Sequence, residues 1–234
     1  MNEPILDRVI WLVFSVGLAI LSAVTLAYVE QIAQRVPSDK KWWYFLLNPW
    51  LNHSLRFVYA ICIPAIALFA QGALTYRGLG FKPFPWMPFV SGSGDKWLVW
   101  LNDSETMFLI LFLTGLVLAY GLQSSGGNRS EHKPNIGTSL ITASRESLID
   151  QIHWAFYREL CVTFWGVALG SWIVMVPLSI ELLLNPATWT KVKNVQGRTS
   201  LIAHSGILFA STILFIQTQN LWLMLMLEFT LRML

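Results

Sequence analysis

The stretch from Arg145 to Glu159, RESLIDQIHWAFYRE, gathers ionisable residues directly ahead of an apolar run. On a helix advancing 100° per residue, Glu146, Asp150, His153 and Tyr157 fall within about 60° of one another, so four proton-exchanging or ligating groups share one stripe. The clustering is notable because the chain holds only 13 acidic residues and four histidines. A carboxyl group in an apolar cavity is shifted toward the range useful for general acid and base work, which is the chemistry such a stripe could perform. Further candidates stand at membrane depth, where charge is costly. His204 lies just inside one apolar segment, while Glu228 and Arg232 sit four residues apart, on one helical face, in the last one. This pair can neutralise itself or serve a site. Glu146, Asp150, His153, His204 and Glu228 supply donors enough for a metal, but a tight signature such as His-Glu-x-x-His is missing, and neither metal nor cofactor is assigned.

The elements that must hold these groups are membrane helices. With 234 residues, 55% of them hydrophobic and 12% charged, and a mean hydropathy of +0.54, the chain is far more apolar than a soluble domain, in which about a quarter of the residues are charged. The composition therefore predicts an all-α polytopic membrane bundle, a single domain of about six spans. The net charge of +3 suits contact with anionic lipid headgroups and gives no argument for nucleic acid. Cys62 and Cys161 both lie in apolar segments and read as small packing residues.

In chain order, residues 9 to 28 form an uncharged run long enough to cross about 30 Å of hydrocarbon, and the acidic residues preceding it argue for a retained span over a signal peptide. Residues 36 to 54 mix lysines with Trp42, Trp43, Tyr44 and Trp50 and should lie along the interface. A second span from about Leu55 to Tyr76 carries Pro64, a predicted kink. Residues 77 to 102 read as a proline-stiffened loop whose aromatic groups, Phe81 to Phe89, press on the membrane or on a partner. The third span is expected from Glu105 to Leu122, capped by Asn102 or Ser104. Residues 123 to 145 read as an aqueous loop, with His132 a solvated member.

Nothing between Glu159 and Met175 would stop the next helix, so it is expected to run from 146 to about 184, with a bend near Gly166 or Gly170. At roughly 58 Å it would exceed the bilayer, placing its first turns at the interface or in a shielded cavity. A polar loop at 185 to 200 then leads into a hairpin of Leu201 to Gln217 and Leu221 to Leu234. Six spans laid out this way put eight basic residues on each side, and the positive-inside rule gives no orientation.

Residues 146 to 232 resemble the catalytic half of the CAAX-protease and bacteriocin-processing family of intramembrane proteases. Its motifs are Glu-Glu-x-x-x-Arg, Phe-x-x-x-His and a closing T-G-N-L-W stretch ending in His-x-x-x-Asn. The segment TQNLWLMLMLEFTLR is similar through Thr218, Asn220, Leu221 and Trp222; Arg158 matches the arginine of the first motif, and His204 the histidine of the second. Against that pattern, His153 and Trp154 stand where the glutamates belong, Ser200 where the phenylalanine belongs, and Glu228 and Arg232 replace the last histidine and asparagine. The resemblance implies a candidate catalytic set of Glu146, His153, Arg158, His204 and Glu228, in a relative whose proteolysis has been lost or whose base has been moved to Glu146 or Glu228. The alternative is a structural or accessory subunit of a larger membrane complex. Its 12 tryptophans would pack against membrane lipids, other subunits, pigments or quinones.

Overall fold

The computed structural model describes residues 3–35, 54–63, 65–66, 79–82, 95–124 and 136–233, and every regular element among them is helical. In chain order these are α1 (Glu3–Arg35), α2 (54–63, with a π-helical turn at Val58–Cys62), α3 (Asp95–Ser124) and α4 (Ile136–Ile173). Next come α5 (Met175–Leu184), α6 (Pro186–Lys193), α7 (Val195–Thr218) and α8 (Leu221–Met233). Three stretches are long and apolar enough to cross a membrane: Val9–Val29, Trp97–Gly121 and Gly197–Thr218. Counting the bent pair Leu140–Ile173 and Met175–Leu184 as one span gives four, so the expected six is not reached among the described residues. Phe108, Phe112 and Val117 of α3 point outward, as apolar residues do on a helix solvated by lipid.

The helix expected to run unbroken from 146 to 184 instead folds back on itself. Gly166 has φ 74° and ψ 172°, a conformation open to glycine and nearly closed to residues with a Cβ. Four residues later the chain lies so close to its own earlier turns that a Cβ on Gly170 would meet the Cys161 carbonyl oxygen at 2.6 Å. In a straight helix nine residues would separate these positions by about 13 Å. The sequence marks the place of the bend but not its extent, because one glycine among good helix formers does not by itself say whether a helix kinks or reverses. The second arm and α5, set at 49° to α4, therefore return along the first arm and carry Glu181 back to the level of His153.

The core forms where the first arm of α4 meets α7 and α8, around Trp154, Phe156, Tyr157 and Leu160, with Leu214 and Phe215, and Leu223, Met224 and Leu227. Helix α8 has 13 residues, about 20 Å, and packs against α3, α4 and α7. Its start is held in place by Asn220, whose Oδ1 accepts from the Trp222 amide at 3.1 Å as an N-cap, while Gln219 takes φ 47° to make the turn. The turn at 79–82 is fastened to this same end. The Gly80 carbonyl accepts from the Leu221 amide at 2.8 Å, Trp222 Nε1 donates to the Lys82 carbonyl at 3.1 Å, and Lys82 Nζ meets Asp103 at 2.8 Å.

Several expected boundaries move. Helix α3 begins at Asp95 inside the anticipated loop, so Asn102 and Ser104 are interior residues; the Ser104 hydroxyl donates back to the Trp100 carbonyl at 2.7 Å. Residues 136–145 belong to α4, and the polar stretch 185–200 is α6 followed by the start of α7. Asn185 caps α6 through the Ala187 amide, with Pro186 in the first turn, a start signal hidden by the stretch's polarity. Of the aromatic loop, Phe81 packs edge-on against Trp222 with centroids 6.0 Å apart. The segment 36–53 expected at the interface, Pro64, residues 67–78 and 83–94, and residues 125–135 with His132, expected as a loop, lie outside the described residues.

Candidate functional site

Glu146, Asp150, His153 and Tyr157 all turn into the bundle, but they serve two separate polar clusters. From Glu146 to Tyr157 the helix rises about 16 Å, so residues on one stripe meet different neighbours at different depths.

The first cluster gathers at the end of the bundle where α2, α4, α7 and α8 converge. Arg56 of α2 pairs with both Glu146 and Asp150. Arg232 of α8 pairs with Asp150 and, through Nε at 2.8 Å, with Glu228. Asp150 is thus bridged by two guanidiniums, and each guanidinium holds two carboxylates. Glu228 is fully buried; its other oxygen accepts from Gln151 Nε2 at 2.7 Å, and that amide also reaches Ser211 Oγ at 2.8 Å. Arg145 adds a contact to Glu146 at 3.2 Å from the surface. His204, half-buried, brings Nδ1 to 3.9 Å from Asp150 and its ring edge-on to Trp154. Glu146, Glu228 and His204 therefore do converge, around the Asp150 carboxylate, which is the group at their centre.

The second cluster lies deeper. His153 Nε2 is 2.9 Å from Glu181 Oε2, and the Tyr157 hydroxyl donates to the other Glu181 oxygen. Ser15 of α1 meets the Tyr157 hydroxyl at 3.2 Å, and Tyr59 of α2 stands edge-on to the His153 ring at 5.4 Å. The reversal at Gly166 is what makes this cluster possible, because it brings α5 alongside α4. His153 Nδ1 is buried without a hydrogen-bond partner.

Arg158 belongs to neither group. It is buried, its Nη1 points to Met224 Sδ at 2.8 Å, its guanidinium lies 4.2 Å over the Phe215 ring, and its Nε has no partner. A ring face and a soft thioether replace the carboxylate usual for a buried arginine.

Of the candidate set, the structure places Glu146, His204 and Glu228 at one cluster, His153 at the other and Arg158 between helices α4, α7 and α8. Arg56, Gln151, Ser211 and Glu181 are not singled out by sequence reasoning. Arg56 and Glu181 carry a usable signal, being charges next to or within apolar runs, whereas Gln151 and Ser211 look like any polar residue on a helix. Among the described residues no group of three or more His, Cys, Asp or Glu is placed to hold a metal. Chemically, the first cluster is a neutralised ion-pair network. The second is a hydrogen-bonded histidine–carboxylate–phenol chain.

No protein-family model, no curated protein and no solved structure matches this chain.

Proposed function

We propose that this chain is a multi-pass membrane protein related to the CAAX-protease and bacteriocin-processing family that no longer hydrolyses peptides, and that it works by association as a structural subunit of a larger membrane assembly. The observation that carries the reading is the double bridge of Arg56 and Arg232 across Glu146, Asp150 and Glu228. A general base for peptide hydrolysis needs a carboxylate oxygen free to take a proton from water within hydrogen-bond reach. Here each of the three carboxylates is committed to a guanidinium, and Glu228 to Gln151 as well. Such a network suits a bundle that must keep one arrangement of helices, since removing either member of a buried pair strands the other. The outward apolar face of α3 is consistent with packing in lipid or against neighbouring subunits.

The test is a cleavage assay on the purified, lipid-reconstituted chain with fluorogenic membrane peptides, beside Glu228→Gln as control. The parent is expected to release no more product than the control. Turnover in the parent that is lost in Glu228→Gln would overturn the proposal.

A further inference from the structure

The reversal at Gly166 changes which charges share a side of the bundle. If residues 146 to 184 were one span, Lys191, Lys193 and Arg198 would lie opposite Arg145. Because the chain turns back, α6 and the start of α7 return to the end that holds the Asp150 cluster. His204, near the start of α7, and Arg232, at the end of α8, both reach Asp150, which fixes the ends of these helices. A Cβ on Gly197 would run into the Lys191 carbonyl, so α6 is folded tightly onto the start of α7. This end therefore carries Arg56, Arg145, Lys191, Lys193, Arg198 and Arg232. At the other end Lys82 is paired with Asp103, beside the start of α8, and Lys96 stands in the first turn of α3.

Within the basic end, Lys191, Lys193 and Arg198 are exposed, and no carboxylate stands within ion-pair distance of them among the described residues. From Leu182 to Leu227 the sequence contains no Asp or Glu at all. Exposed on the same short segment are Trp189, with its indole nitrogen tied to the Leu183 carbonyl at 2.9 Å, and Val192 and Val195. Basic heads beside an indole and two valines, between an apolar helix and a candidate span, match an acidic and half-apolar surface, which is the headgroup zone of a membrane containing anionic lipid.

We propose that α6 and the first turn of α7 form a docking strip for anionic phospholipid phosphates, and that this end of the bundle consequently faces the cytoplasmic leaflet. The proposal rests on the membrane reading above, and two measurements separate their failures. In the first, the full chain in detergent is incubated with equal amounts of phosphatidylglycerol and phosphatidylcholine, and bound lipid is counted by native mass spectrometry. Each basic side chain near an anionic surface is worth roughly fivefold in partitioning. The parent is therefore expected to favour phosphatidylglycerol by about tenfold or more, Lys191→Gln alone to favour it less, and the triple change Lys191→Gln, Lys193→Gln, Arg198→Gln to show near-equal binding. Equal binding by the parent, or an undiminished preference in both variants, overturns the docking strip. In the second, Asn194→Cys and Lys96→Cys, each in a background lacking Cys62 and Cys161, are treated in intact expressing cells with a membrane-impermeant maleimide. Lys96→Cys should label in intact cells and Asn194→Cys only after permeabilisation; the inverse pattern overturns the orientation. Alkaline carbonate extraction of the same cells tests the premise independently: release into the soluble fraction refutes the membrane reading, whereas retention with inverted labelling refutes only this inference.

Discussion

Breaking the Arg232 bridge should destabilise the chain more than removing Glu228, and removing both should restore most of the loss. Arg232→Met deprives the fully buried Glu228 of its ion pair and leaves it the hydrogen bond from Gln151 and the more distant charge of Arg158, while Asp150 keeps Arg56. Stranding a buried charge in this way costs about 3 to 5 kcal/mol. Glu228→Gln is milder, because Arg232 retains Asp150 and the lost charge-assisted bond is worth about 1.5 to 3 kcal/mol. In the double variant Glu228→Leu with Arg232→Met, every remaining member still has a partner, Asp150 with Arg56 and Gln151 with Ser211. Its cost should therefore fall to about 1 kcal/mol, near neutral for a pair replaced by apolar groups of similar volume. For a chain of this size 1 kcal/mol shifts the Tm by roughly 2 to 4 °C. Thermal unfolding in detergent should accordingly show a drop of about 6 to 20 °C for Arg232→Met and a few degrees for the double variant. Two results would refute the reasoning: a single Arg232→Met change that leaves Tm within about 2 °C of the parent, or a double variant no more stable than Arg232→Met alone, which would mean that removing the Glu228 charge does not relieve the loss of its partner.

The remaining predictions probe the fold-back and the fastening of its neighbours. Cysteines replacing His153 and Glu181 should join through a short bifunctional thiol reagent within one chain; on an unbroken helix they would stand about 42 Å apart and could not react together. Gly166→Ala should lower stability by about 1 to 3 kcal/mol through its positive φ, and Gly170→Ala should lower it too, by driving a methyl group into the Cys161 backbone. Gly17→Ala and Gly121→Ala, with nothing within 4 Å of the added carbon, should be neutral or stabilising in the same unfolding assay. Trp222→Phe removes the bond to the Lys82 carbonyl and should cost about 1 kcal/mol, read as faster proteolysis in the 79–82 turn, with no change expected at α6.

By itself the sequence determined those features that depend on composition and one-dimensional period. Low charge and long apolar runs dictate helices, because a backbone in lipid must satisfy its hydrogen bonds within its own segment. The 3.6-residue period likewise makes the stripe of Glu146, Asp150, His153 and Tyr157 legible, and its inward orientation is required by the penalty on a lipid-facing charge. The short joint at Thr218 to Asn220 and the pairing of Glu228 with Arg232 are legible for the same local reasons. Only the tertiary structure decided who else joins them. Arg56 lies 90 residues from Glu146, and Glu181 lies 28 residues beyond His153, so neither contact has a periodic signature. The decisive unknown was Gly166: a single permissive residue lets the chain kink slightly or turn fully round, and the choice depends on whether the returning arm finds a surface to bury against. Here it does, since Gly170 fits against the Cys161 and Val162 backbone where no side chain could. That one long-range packing decision moves Glu181 onto His153 and carries the lysines of α6 to the side of Arg145.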